Sequence, residues 1–254
     1  MIQSIDRAAR VLASLQGSRH LGITEIAERL RLSPSTAHGI VRTLAAHGLV
    51  VQEPGGKRYM LGPALVRLSS VYLDTHEVRG RSLPWMEDLA RSTGLAVRLG
   101  VELLDEVMIL HHVARPDGSR QMPETGISLP VHACALGKVL LSGHPEAARA
   151  LLGRDPLRSL TGDTVTDPQA VLAGLPEIAA RGLATERDEV VVGESALASP
   201  VVDRTGAVVA ALGLVVPSAQ WPEGPSDPRL DEWTGALRGA ARAVSRELGA
   251  THWP

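Results

Sequence analysis

Between Ser33 and Gly48 the chain carries Ser35, Thr36, His38, Arg42 and Thr43 on one side of a helical repeat, and no Asp or Glu. Hydroxyls and an imidazole can hydrogen-bond base edges, and a guanidinium can pair with guanine. A carboxylate there would repel phosphates, so the acid-free face suits the major groove of DNA. Lys57 and Arg58 follow a Gly55-Gly56 turn, where two cations suit phosphate oxygens or the minor groove. Thr24 and Ser33, at two candidate helix starts, join Ser35, Thr36, His38, Arg42, Lys57 and Arg58 as the expected DNA contacts. A protein-docking module would instead be expected to show an acidic or apolar face at this helix.

Other arrangements suggest chemistry less well. Gly193-Glu194-Ser195-Ala196 begins like a hydrolase nucleophile elbow, but Leu197 replaces the closing glycine and the sequence onward reads as strand, where an elbow needs a sharp turn into a helix. Cys134, the single cysteine, lies two residues after His132; sequence adjacency makes no triad, and a small buried apolar role is expected for it. Gly137-Lys138 lacks the first glycine and the Ser/Thr of a phosphate-binding loop. His111 and His112 fall in a strand pattern, where adjacent side chains point to opposite faces, so they are poorly placed to share a metal. Asp188-Glu189 reads as a solvated loop. No enzyme activity, metal or cofactor is expected.

Ile5, Ala8, Val11/Leu12 and Leu15 predict a first helix over 4–16, and Thr24 is expected to cap a second over 24–30. Ser33 with Pro34 at the first turn predicts the third, whose apolar stripe is Ala37, Ile40, Val41, Leu44 and Ala45. A hairpin of 49–52 and 57–61 follows. These are the parts of a winged helix-turn-helix. Residues 64–77 then repeat Leu65, Leu68 and Val71/Tyr72 at helical spacing, a stripe expected to pack on a second copy, since paired helix-turn-helix units read two half-sites.

The remainder mixes elements: helix 85–93, strands 95–102 and 106–113, helices 135–141, 145–152 and 168–181, a hairpin of 195–202 and 207–215, and a last helix burying Trp233, Leu237, Ala240, Val244 and Leu248. Strands joined by short turns with segregated helices predict an antiparallel α+β domain. The expected division is 1–62 winged helix-turn-helix, 63–80 linker and dimerisation helix, and 81–254 effector-binding domain.

Charge supports that division. The chain of 254 residues has a formal net charge of -2, yet residues 1–62 hold eight Lys/Arg against four acids, which leaves the remainder acidic. A basic first quarter on an acidic body predicts a polyanion partner for that quarter alone. With 44% hydrophobic and 21% charged residues the composition is that of an ordinary globular protein. The opening residues lack a signal-peptide pattern and no apolar run is long enough to span a bilayer, so a cytoplasmic location is expected.

Several motifs in order resemble the IclR family of bacterial regulators. They are Ser4-Ile5-Asp6-Arg7-Ala8, Thr24-Glu25-Ile26-Ala27, Ser33 to His38, Tyr59-Met60-Leu61-Gly62, His132 to Lys138, Ala198-Ser199-Pro200-Val201 and Gly206 to Leu212. The resemblance implies a GAF-like antiparallel-sheet effector domain, a homodimer or dimer of dimers, and double-stranded operator binding tuned by a small molecule. It also implies an effector cradle at Cys134, Ala135 and Leu136, facing Glu186, Ala196 and the strand Gly213-Leu214-Val215. Members that bind small oxo-acids carry Asp, Cys and two Ser at the positions of Glu186, Ala196, Gly213 and Val215, so this cradle is more apolar. Val71 to Arg79, His111 to Asp117 and Ala243 to Leu248 are similar to the family's glycerol-operon repressors, implying glycerol or its phosphate as effector.

Overall fold

The computed structural model describes residues 2–154, 156–224 and 227–254. The chain divides into two compact units, Met1–Thr75 and His76–Pro254.

The first unit runs α1 (Gln3–Ser18), β1 (Leu21–Gly22), α2 (Ile23–Leu30), α3 (Pro34–Ala46), β2 (Val50–Gln52), β3 (Arg58–Leu61) and α4 (Ala64–Thr75). Val11 and Leu15 of α1, Ile26 of α2, Ala37 and Val41 of α3 and Val50 of β2 form one buried core, so the helical stripes read from the sequence converge on a common centre. The stripes are narrower than their periodicity suggests. Ile5 and Ala45, at the two ends of these stripes, are exposed. Ser33 caps α3 as expected, accepting from the Thr36 N–H at 3.2 Å. Thr24 does not cap α2: the cap position is Gly22, whose N–H donates to the Glu25 carboxylate at 2.6 Å.

The strands form an antiparallel sheet of order β1-β3-β2. Gly48, with φ at +70°, turns the chain from α3 toward β2. Gly62 abuts the Gly48 carbonyl so closely that no side chain fits there.

The second unit opens with α5 (Glu77–Thr93), β4 (Ala96–Leu103), β5 (Glu106–Val113), β6 (Ser128–Pro130), α6 (Ala135–Gly143) and α7 (Pro145–Leu152). It closes with α8 (Pro168–Arg181), β7 (Ala184–Arg187), β8 (Glu194–Val202), β9 (Val208–Pro217) and α9 (Pro228–Glu247). Its six strands are antiparallel neighbours in the order β6-β5-β4-β9-β8-β7. Alternation along the strands builds two layers on this sheet. Ala196, Ala198 and Ala211 pack with Leu136 and Leu140 of α6 and Val171 and Leu175 of α8. Val97, Leu99, Leu197, Leu212 and Leu214 alternate to the other side, where α5 and α9 cover the sheet with buried Met86, Leu89, Trp233, Leu237 and Val244. Leu248, expected to be buried, is half-exposed at the end of α9.

Candidate functional site

The exposed side of α3 begins as a hydroxyl cluster. Ser33 Oγ lies 3.0 Å from Ser35 Oγ and 2.8 Å from Thr36 Oγ1. The cap that starts the helix therefore also fixes the hydroxyls of its first turn. His38 and Arg42 follow, one further turn apart, both exposed. Pro34 has no N–H and the Thr36 N–H is taken by Ser33, so what favours phosphate at this start is the positive end of the helix dipole. Lys57 is exposed in the turn between β2 and β3. Arg58 is exposed too, but its guanidinium holds Glu25 of α2 at 2.7 and 3.0 Å. The Gly22 N–H and Arg58 keep the Glu25 carboxyl below its ordinary range. Arg58 thus ties the wing to α2, and Lys57 is the cation of the tip without such a tie.

In the second unit the cradle residues are packed, not open. Cys134 is the cap of α6, its Sγ accepting from the Gly137 N–H at 3.3 Å. Burial pushes its thiol up to about 12, which disfavours the thiolate. Ala135 is buried beside it. Leu136 lies against the sheet: a Cβ added at Gly213 would stand 2.9 Å from its Cδ2. Leu136 therefore fills the space that the two glycines Gly100 and Gly213 leave on β4 and β9. Ala196 is buried beneath the same layer, and Leu214 points to the opposite side of the sheet. Glu186 is buried with its Oε2 accepting from the Glu189 N–H at 3.0 Å. Burial, aided by the Glu189 charge, raises its carboxyl to about 7. Asp188 and Glu189 are not a solvated pair as expected. Glu189 is buried against Lys138, and Asp188 accepts from the Gly193 N–H at 2.6 Å and the Ser218 hydroxyl at 2.7 Å.

One open volume on this side of the sheet lies one step along, in a cavity of about 460 Å³, within the range of small-metabolite sites. Ala96, Arg98, His112, Glu194 and Val215 line its floor, and the segment 114–127 supplies Arg115, Arg120 and Glu124. Of the candidate effector residues, Val215 lines it. Arg98 is its centre: its side chain is 12% exposed, and its guanidinium grips Glu124 through Nε and, at 2.6 Å, Nη2, with Glu194 at 3.1 Å. Burial works against both charges of the Arg98–Glu124 pair. The mutual hydrogen bonds and attraction outweigh it, leaving Arg98 above and Glu124 below their ordinary values. His112 pairs with Arg98 across β4 and β5, its Nε2 3.9 Å from Glu124; burial lowers its pKa. His111, on the other side of β5, is also lowered by burial and then by Arg79 of α5. The two histidines thus serve different layers. A larger groove of about 620 Å³ beside α8 is lined by Ser142, Gln169 and Leu172 with the surface Arg149, and gathers no comparable set of polar groups.

Ser195 lies inside β8 with its hydroxyl 2.8 Å from Ser218 Oγ, so no nucleophile elbow forms. Among the described residues no group of three or more His, Cys, Asp and Glu is placed to hold a metal ion. No described helix is long and apolar enough to cross a membrane.

Comparison with known proteins agrees with both halves. Residues 4–54 match the IclR helix-turn-helix domain and residues 70–246 the bacterial transcriptional regulator IclR C-terminal domain. The chain is 45% identical over 250 residues to a glycerol operon regulatory protein of Streptomyces griseus, covering 98% of this chain and 97% of that one. It is 44% identical to the protein of that name from Streptomyces coelicolor, with coverage of 98% and 97%. An IclR transcriptional regulator from Alicyclobacillus acidocaldarius superposes with a TM-score of 0.82 at 29% identity, covering 97% of this chain and 98% of its own. An IclR homologue from Microbacterium hydrocarbonoxydans complexed with 4-hydroxybenzoate gives 0.79 at 26% identity, with coverage of 97% and 99%. With both family domains matched over most of the chain and near-full-length relatives at 45% and 44% identity, the chain belongs to the IclR family of bacterial transcriptional regulators.

Proposed function

We propose that this regulator is a repressor of a glycerol catabolic operon, released from its operator by glycerol or glycerol 3-phosphate. The observation that carries the glycerol assignment is similarity over nearly the whole chain to two glycerol operon regulatory proteins. The assignment reaches the effector unit as well as the DNA-binding unit, and a shared fold alone would not require that. Residues 1–62 read DNA, 63–80 join and dimerise, and 81–254 hold the effector. In the operator complex Ser35, Thr36, His38 and Arg42 face bases and Lys57 faces phosphate, with Thr24 and Ser33 at the flanking helix starts. The effector occupies the cavity between Arg98 and Val215. Of the candidate cradle residues Val215 lines it; Cys134, Ala135, Leu136, Glu186, Ala196 and Gly213 belong to the packed core beside it, and Leu214 lies on the other layer. The polar groups of that cavity fit a small polar metabolite, and the structural relative that holds 4-hydroxybenzoate supports a small organic ligand for this fold.

The working form is a homodimer or a dimer of dimers. Leu68 and Val71 of α4 are each more than three-fifths exposed and Tyr72 nearly half, an apolar stripe that a second copy would cover. The effector acts by binding the DNA-incompetent arrangement more tightly than the competent one. The test is binding of the full chain to the upstream region of the glycerol genes. Operator affinity that falls on adding glycerol or glycerol 3-phosphate is expected; selective binding indifferent to both would refute the glycerol assignment while leaving the regulator.

A further inference from the structure

The pocket contains a feature that its apolar cradle does not explain: a buried arginine already holding an anion supplied by the chain itself. Arg98 sits in β4, between β5 and β9 in the sheet, where a charge needs a partner close by. That partner, Glu124, comes from outside the sheet, on the segment joining β5 to β6. Its carboxylate takes the Nε and Nη2 edge of the guanidinium, the side-on two-point geometry in which arginine binds carboxylates and phosphates.

The segment is otherwise closed on itself. The Arg115 N–H donates to Gln121 Oε1 at 2.9 Å and Gln121 Nε2 returns to the Arg115 carbonyl at 3.2 Å. Its far end is fixed by backbone bonds between Ile109 and the pair Gly126 and Ile127. Among the described residues, its side-chain tie to the strands runs from Glu124 to Arg98. Two more arginines of the segment, Arg115 and Arg120, line the same cavity.

Resting on the reading of this cavity as the effector site, we propose that Arg98 is its anion-receiving group and Glu124 an internal stand-in. A small ligand bearing a phosphate or carboxylate takes the guanidinium from Glu124 and frees the 114–127 segment from the sheet. The exchange replaces one anion on Arg98 by another, so the buried arginine is never left unpaired. Arg115 and Arg120 add attraction for the incoming charge. A neutral polyol lacks the group that can displace Glu124; such a ligand would instead use Glu124 and Glu194 as acceptors for its hydroxyls. The two modes give opposite signs when the Glu124 charge is removed.

The experiment is calorimetric titration of the full chain, wild type and Glu124→Gln, with inorganic phosphate, glycerate, glycerol 3-phosphate and glycerol. Without the competing carboxylate the three anions are expected to bind the variant on the order of tenfold more tightly, and glycerol no more tightly. The double variant Arg98→Gln with Glu124→Gln removes both buried charges together, and the gain is expected to vanish. Backbone hydrogen exchange over 114–127 is expected to speed up in wild type saturated with the tightest-binding anion. Anions that bind Glu124→Gln no better than wild type, a gain that survives loss of Arg98, or slower exchange in the segment would each overturn the proposal. If phosphate gains from Glu124→Gln while glycerol 3-phosphate binds no better than phosphate, the Arg98 exchange stands and the glycerol assignment falls.

Discussion

At the scale of single residues, Glu186 shows how burial changes chemistry. It lies under α6 with its carboxyl raised to about 7, from an ordinary 4.5, by burial first and by Glu189 second. A carboxyl that keeps its proton in the folded chain but loses it in the unfolded one favours folding at low pH. That contribution is complete below pH 4.5 and is lost as pH rises toward 7. Glutamine keeps an acceptor for the Glu189 N–H and carries no charge. Glu186→Gln is therefore expected to match wild type at pH 5 and exceed it by on the order of 2–3 kcal/mol at pH 8, read by denaturant unfolding. Equal stability at both values would show that the wild-type carboxyl ionises without cost. On the DNA side, Arg42→Ala should lose about 1–3 kcal/mol of discrimination at particular base pairs, as measured with a panel of single-substitution operators. Lys57→Ala should weaken all sequences alike and reduce the salt slope by about one. Because Arg58 is committed to Glu25, Arg58→Ala is expected to act on the placement of the wing, with a smaller change in salt slope than Lys57→Ala.

At the scale of elements, local signals decided what could be read in advance. Pro145, and Asp167 with Pro168, mark helix starts, and α7 and α8 begin where those residues place them. The Asp203-to-Gly206 turn likewise fixed the β8–β9 hairpin. β6 and β7 carried no such signal. Ser128–Pro130 and Ala184–Arg187 are short and mixed in polarity, and they are strands because β5 and β8 offer them an edge. Helix α5 was expected to start after Pro84, yet Glu77 to Leu83 are helical with Pro84 inside; the packing of α5 on β4 and α9 overrides the one missing N–H. The effector cradle was legible as apolar but not as filled, since Leu136 closes it from another element. Arg98 could have been flagged: a lone cation in Ala96-Val97-Arg98-Leu99 asks for a buried partner, but Glu124 is 26 residues away and only the fold joins them. Gly137 sits against the Val131 backbone with no space for a Cβ. Gly137→Ala should displace α6 and cost roughly 1–3 kcal/mol or more, seen as a lower melting temperature of the second unit.

At the scale of the whole molecule, two features divide the work: a basic winged unit and an acidic sheet unit that holds the cavity. If α4 pairs two copies, a charge in its stripe should break them apart. Leu68→Glu is expected to shift the chain to monomer in sedimentation and to abolish cooperative binding to a two-half-site operator, while leaving the fold of each unit intact; a dimer that survives would move the interface elsewhere. If a small metabolite in the sheet cavity controls DNA binding, operator affinity of the full chain at fixed salt, titrated with glycerol 3-phosphate and separately with glycerol, reads that control directly. Tight, sequence-selective binding that falls as one of these ligands saturates is expected. Operator affinity unchanged by saturating amounts of both would contradict it.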